Sequence, residues 1–237
     1  MVLLHPFPLD ASFWGPMWRE LDADVTLLTP EFPGFGAAAA QSTPTIAGFA
    51  TAVAELIGTE DAGPAIVVGL SLGGYVALAL AVEHPVAVAA LVLANTRAES
   101  DDADARRARE QAIDTVRIDG LDTYLADLLP QVLSPSAGTE ASERAHAISE
   151  GQDDESVCAA LEALRDRPDR TGDLAGIGAR TVVIGGEDDA VTPRAALAAL
   201  AHGIPSATLE MIAGAGHLSA LERPVEFAEI LARMLPT

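Results

Sequence analysis

Short aliphatic runs alternate with longer stretches whose apolar positions recur every three or four residues, and this alternation organises most of the chain. The runs Val2–Leu4, Val25–Leu28, Ala65–Leu70, Ala90–Leu93, Thr181–Ile184 and Ala207–Ile212 predict strands. Between them the spacing predicts helices over Phe13–Leu21, Ile46–Ile57, Gly74–Glu83, Arg194–Ala201 and Val225–Met234. Strands alternating with helices imply a parallel sheet covered on both faces. Pro85 stops the third helix after His84, and Pro224 stands near the start of the last, where a missing N–H costs little.

The rhythm breaks between about Thr96 and Gly176. That segment offers no strand pattern, and apolar residues at spacings of three and four, as in Leu121, Tyr124, Leu125, Leu128 and in Val157, Leu161, Leu164, predict helices. Four are expected, with breaks near Gly120, Pro130–Gly138 and Gly151–Asp154. The chain therefore divides into a core of residues 1–96 and 177–237 and a four-helix cap insertion of residues 97–176. The acidic run Glu99–Asp104 is read as solvated helix surface.

Charge narrows the partners. The formal net charge is −21, from 35 acidic and 14 basic residues, and every basic residue is arginine. A nucleic acid would be repelled by such a field, and Arg106, Arg107 and Arg109 lie within an acidic stretch. No run approaches the roughly 18 apolar residues of a membrane span, so no membrane partner is expected. Met1–Leu4 lacks a basic region and is followed by His5, Pro6 and Pro8, unlike a signal peptide. Cys158 is the single cysteine, which excludes an intrachain disulfide and makes a cytoplasmic location the expectation; its apolar neighbours mark it as structural.

The chemistry centres on Gly69-Leu70-Ser71-Leu72-Gly73-Gly74, set between a predicted buried strand and a predicted helix. A serine on so tight a strand-to-helix turn needs small residues two before and two after it, and the helix N-terminus favours developing negative charge. A hydroxyl is a weak nucleophile and needs a base, which in turn needs an orienting group. His217, in Gly214-Ala215-Gly216-His217, follows the last predicted strand and is the best-placed base. His84 ends a helix, while His146 and His202 sit on helices among ordinary neighbours. The acid is expected in the loop after the preceding strand, where Glu187, Asp188 and Asp189 are adjacent.

These features resemble the α/β-hydrolase superfamily over nearly the whole chain. Within it the chain looks most like small bacterial members with a four-helix cap, such as 3-oxoadipate enol-lactonases and cofactor-free haloperoxidase or perhydrolase-type esterases. The matching segments are Leu3–Asp10, Gly34-Phe35-Gly36, Gly69–Gly74, Arg167-Pro168-Asp169, Gly186–Pro193 and Gly214–Pro224. The resemblance implies a three-layer α/β/α fold with a mostly parallel sheet of about six strands, the family's first two strands being missing. An edge left open in this way is compatible with cover by a partner, and so with a homo-oligomer. In the family pattern Gly-x-x-Asp-x-x-x-Pro the aspartate is the triad acid, which selects Asp189. The resemblance also places the oxyanion-binding N–H groups at Leu72 and at Phe7, although the family's His-Gly pair is here His5-Pro6. Because Pro6 and Pro8 lack N–H groups, Phe7 is the only donor within residues 6–8.

The expected activity is hydrolysis of small carboxylic esters or lactones through an acyl-enzyme. Ser71, Asp189 and His217 carry the chemistry, with no metal and no cofactor. Phe32 and Tyr124 are candidate pocket walls, and Arg97 or Arg167 a candidate anchor for one carboxylate. A perhydrolase or haloperoxidase-like reading uses the same residues, with peroxide replacing water; a reading from another class is a non-catalytic ligand-binding relative, which loss of a triad member would support.

Overall fold

The structure is a computed structural model that describes residues 1–21, 25–41, 43–59 and 63–235. Its centre is a parallel sheet of β1 (Val2–Leu4), β2 (Ala65–Leu70), β3 (Val88–Ala94), β4 (Arg180–Gly186) and β5 (Ala207–Ile212), in that spatial order. The inner strands lack polar alternation because helices cover both faces, and Val67, Val68, Leu91, Val92 and Leu93 are fully buried.

The sheet has five strands instead of the expected six. Val25–Leu28 makes only one bridge, between Leu28 and Val2, with Leu3 N–H donating to Leu28 O at 2.9 Å and Leu28 N–H to Met1 O at 2.9 Å. Pro30 has no N–H to continue the ladder. Val2 also pairs with Val67 of β2, so Leu28 lies on the far side of β1. The chain thus runs outward from β1, returns across it and continues through β2 to β5. The reversal falls between β1 and β2, and a crevice at the carboxyl ends of two such strands is where open α/β sheets bind ligands.

Helices α1 (Gly15–Glu20), α2 (Ile46–Thr59), α3 (Leu72–Glu83), α8 (Arg194–Gly203), α9 (Ser219–Glu222) and α10 (Pro224–Ala232) accompany the sheet. The helix predicted over Phe13–Leu21 begins as a 3-10 turn, Ala11–Trp14, and becomes α-helical only at Gly15. Pro16 fits the first turn of α1, where its missing N–H has no partner to lose. Helix α3 is apolar on all sides, with Leu72 through Ala81 buried, because it lies between the sheet and α2.

Between β3 and β4 stand α4 (Ala103–Asp119), α5 (Leu121–Val132), α6 (Thr139–Glu150) and α7 (Asp154–Arg165). Asp102 and Asp153 cap α4 and α7 by accepting from the N–H groups of Ala105 and Ser156, at 2.8 and 3.0 Å. Helix α5 runs through Pro130, which withholds one N–H from the bonding of its last turn. The acidic run Glu99–Asp104 is not wholly solvated: Asp101 is 5% exposed and pairs with Arg167 at 2.7 Å and Arg109 at 3.2 Å. Arg167 also donates to the carbonyls of Leu164 and Glu99, and its guanidinium lies 4.3 Å from the centre of the Tyr75 ring. Its charge is therefore committed to this network, and breaking such a buried pair typically costs about 3–5 kcal/mol. Among the described residues no helix is long and apolar enough to cross a membrane.

Candidate active site

Strand β2 delivers Ser71 into α3 with φ 53° and ψ −111°, a backbone conformation that non-glycine residues rarely adopt. Strain of this kind costs roughly 1–3 kcal/mol and persists only where neighbours enforce it. They do so from β3, from the residues that follow it, and from α3. Ser71 N–H donates to Ala94 O at 2.9 Å, while Ser71 O accepts from Thr96 Oγ1 at 3.2 Å and Tyr75 N–H at 3.0 Å. The flanking glycines are demanded by space: a Cβ on Gly69 would stand 2.1 Å from Gly73 O, and one on Gly73 would stand 2.0 Å from Leu4 O.

The structure brings the three candidate side chains together. His217 Nε2 lies 2.8 Å from Ser71 Oγ, and His217 Nδ1 lies 3.0 and 3.1 Å from the two carboxylate oxygens of Asp189. With a carboxylate on one side of the ring and a hydroxyl on the other, the network assigns the proton to Nδ1 and the lone pair to Nε2. His217 and the Asp189 side chain are nearly inaccessible to water. Burial alone would raise the Asp189 carboxyl, but hydrogen bonds from His217, Asn95 and the Thr192 N–H outweigh it and hold the group below its ordinary range. The N–H groups of Val191 and Thr192 donate to Asp189 Oδ1 at 2.8 and 2.9 Å. Asp188 turns elsewhere and accepts from Ser134 Oγ at 2.8 Å.

On the other side of Ser71, the loop after β1 carries Phe7. Gly73 N–H donates to His5 O at 3.1 Å, joining this loop to the elbow. Among the described residues neither Phe7 N–H nor Leu72 N–H donates to a backbone acceptor. Beneath them His5 is fully buried, with Nδ1 donating to Pro6 O at 3.2 Å and Nε2 accepting from Phe32 N–H at 3.1 Å. Burial pushes its pKa down to about 4, against the weaker upward pull of the Pro6 carbonyl and Asp10, so the ring is neutral. Phe32 is committed to core packing, 4.6 Å from the His5 ring and stacked on Phe49 at 4.9 Å. Tyr124 reaches down from α5 to within 6.4 Å of the Phe7 ring, and burial raises its hydroxyl to about 12, so it stays protonated.

Two residues at this site were not singled out by the sequence. Asn95, at φ 48° just past β3, donates from Nδ2 to Asp189 Oδ2 at 2.8 Å and to Gly216 O at 3.2 Å. Glu222, buried at 6% exposure, accepts from the N–H groups of Ser134, Gly216 and Leu218. A polar residue directly ending an aliphatic strand, and an acid just before Arg223-Pro224 downstream of His217, were the available signals. The remaining histidines lie apart: His84 bonds Thr51 and His146 pairs with Glu150. Cys158 is buried, and burial raises its thiol, in keeping with a structural part. Among the described residues no cluster of side chains has the makings of a metal site.

A separate cleft of about 530 Å3 between α2 and the α3–β3 connection is lined by Pro64 and Ala87, which precede their strands. It therefore opens at the opposite edge of the sheet from Ser71; His84 and Thr51 line it, and Ser71, Asp189 and His217 do not.

Comparison with known proteins agrees with this architecture. A pimeloyl-[acyl-carrier protein] methyl ester esterase from Chromobacterium violaceum is 32% identical over 249 residues, covering all of this chain and 94% of that one. A malate-bound thermophilic esterase from Thermogutta terrifontis superposes with a TM-score of 0.93 at 29% identity, over 98% of this chain and 88% of that one. The enol-lactonase from Burkholderia xenovorans LB400 shares the fold, with a TM-score of 0.85 at 24% identity, over 98% and 89% of the two chains. The family model described as the alpha/beta hydrolase family matches residues 1–230, and the chain belongs to that family.

Proposed function

We propose that this protein is a serine hydrolase that cleaves small carboxylic esters or lactones through an acyl-enzyme, with Ser71 as nucleophile. The observation that carries the reading is the continuous relay from Ser71 Oγ to His217 Nε2 at 2.8 Å and from His217 Nδ1 to Asp189 at 3.0 Å. Ser71 Oγ attacks the carbonyl carbon while its proton passes to His217 Nε2. Asp189 stays ionised, holds the ring in the Nδ1–H tautomer and stabilises the imidazolium. The carbonyl oxygen, now negative, accepts from the N–H groups of Phe7 and Leu72, supported by the N-terminus of α3. The imidazolium then protonates the departing alkoxide, which stays tethered if the substrate is a lactone. Water repeats the sequence on the acyl-enzyme and restores Ser71.

The helical segment of residues 97–176 serves as the cap over this centre, with Tyr124 and Phe7 walling the acyl pocket. Relatives named as esterases support ester hydrolysis as the chemistry. A fluorophosphonate probe tests the reading directly: the unmodified chain should label at Ser71, and Ser71→Ala and His217→Ala should not. Failure of the unmodified chain to label would favour a non-catalytic ligand-binding role. A panel of p-nitrophenyl esters and γ-lactones then assigns the substrate class, and added peroxide distinguishes perhydrolysis.

A further inference from the structure

The loop that carries His217 is held from below by one side chain and from above by the helical segment. Glu222 is the first of these. Its two oxygens accept from Gly216 N–H at 3.1 Å each, from Leu218 N–H at 3.2 Å and from Ser134 N–H at 2.8 Å. It therefore holds the N–H groups of the residues immediately before and after His217 and fastens both to Ser134, the second residue past α5. The helical segment answers from its own side. Val132 O, in the last turn of α5, accepts from His217 N–H at 3.0 Å and Leu218 N–H at 3.3 Å. Ser134 Oγ bonds Asp188, next to Asp189, so residues 132–134 meet the base loop and the acid loop together.

We propose that Glu222, acting with Val132–Ser134, is a positioning residue that sets the place of His217, so that the helical segment helps align the base as well as covering the site. A loop bearing Gly214 and Gly216 has little stiffness of its own, and without external bonds the imidazole would sample positions away from Ser71 Oγ. Burial alone disfavours the Glu222 carboxylate and raises its pKa, with the three backbone donors opposing that rise. An acid kept in such a costly place, with its acceptor capacity spent on this loop, is suited to fixing geometry more than to adding stability. The space is equally specific: a Cβ on Gly216 would stand 2.4 Å from Ser134 N, so the base loop and the α5 end are in direct backbone apposition.

The proposal rests on the Ser71–His217–Asp189 reading, and its test is arranged to fail separately. Steady-state hydrolysis of a p-nitrophenyl ester and the melting temperature are measured for the unmodified protein, Glu222→Ala, Glu222→Gln and Leu161→Ala. The last removes a buried side chain of α7, a helix that makes none of the hydrogen bonds to Ser71, His217 or Asp189, and serves as a stability control. Misplacing a reacting group by about 1 Å can cost on the order of a hundredfold, so Glu222→Ala should lose at least about tenfold in kcat with KM within about twofold. Glu222→Gln keeps one oxygen acceptor and should lie between Glu222→Ala and the unmodified protein. Leu161→Ala should melt earlier yet keep its kcat.

Unchanged kcat in Glu222→Ala overturns the proposal, as does a kcat loss in Leu161→Ala that matches it at equal loss of melting temperature. If Glu222→Ala cannot be purified folded, wild-type kcat in Glu222→Gln overturns it. An unmodified protein that neither labels nor hydrolyses esters refutes the triad reading first. An active unmodified protein with an undiminished Glu222→Ala refutes only the positioning role.

Discussion

Asn95 Nδ2 stands 2.8 Å from Asp189 Oδ2 and 3.2 Å from Gly216 O, so one amide group, fixed at the end of β3, spaces the acid loop from the base loop. Ser219 Oγ donates to Asn95 Oδ1 at 2.5 Å, which defines the orientation of the amide. Thr192 Oγ1 holds the Asn95 carbonyl at 3.2 Å. Asn95→Ala leaves the Asp189 carboxylate with one donor fewer and removes the tie to Gly216. The expected result is a fall of roughly 10–100-fold in kcat with little change in KM, as for loss of a group that supports the reacting ones. Steady-state kinetics on a p-nitrophenyl ester would show it.

The relay itself predicts unequal losses. Removing the nucleophile or the base in a serine triad costs about 10^6-fold in kcat, and removing the acid about 10^4-fold. Ser71→Ala and His217→Ala should therefore be indistinguishable from background, whereas Asp189→Asn should retain measurable turnover. Activity in Ser71→Ala comparable to the unmodified protein would rule Ser71 out as nucleophile.

His5 links the site to stability. Its pKa falls from 6.5 to about 4 in the folded protein because its buried ring resists protonation. For a group depressed in the fold, its contribution is fully present above the unfolded value, declines as pH falls below it, and stops declining below the folded value. Between about pH 7.5 and pH 5 this group alone should remove about 2 kcal/mol of unfolding free energy. Urea melts at both pH values should show that loss, and His5→Gln should flatten it.

The elbow predicts a steric limit. With Leu4 O only 2.0 Å from a Cβ at position 73, Gly73→Ala must displace β1 or the elbow. Several kcal/mol of destabilisation are expected, at the upper end of single substitutions. Denaturant midpoints would measure it, and an unchanged midpoint would contradict the packing described.

Much of the fold and the three relay side chains could be read from the chain because each lies where a local pattern is unambiguous. Ser71 sits among glycines between an aliphatic run and an apolar helix, and Asp189 and His217 follow the last two strands in order. Val25–Leu28 has the composition of a strand and so predicts a sixth, while its pairing is limited by Pro30, whose effect shows only once β1 is placed beside it. Asp101 resembled its acidic neighbours, and its burial depends on Arg167, which is distant in sequence. Asn95 acts through hydrogen bonds to two other loops, and Glu222 bonds Gly216, Leu218 and the distant Ser134; no apolar or glycine pattern records such partners.

The hydrogen bond from Gly73 N–H to His5 O has a consequence for how this site can vary. Both N–H groups assigned to the carbonyl oxygen belong to the main chain, and this bond locks their two peptide segments into one frame. Leu72 is fully buried, so a change of size there would disturb the packing of α3, whereas position 7 need only keep its N–H and so not become proline. On the proposed reading, a new acyl group would be accommodated by varying residue 7, and charge-stabilising groups made of main-chain N–H would pass unaltered through that substitution.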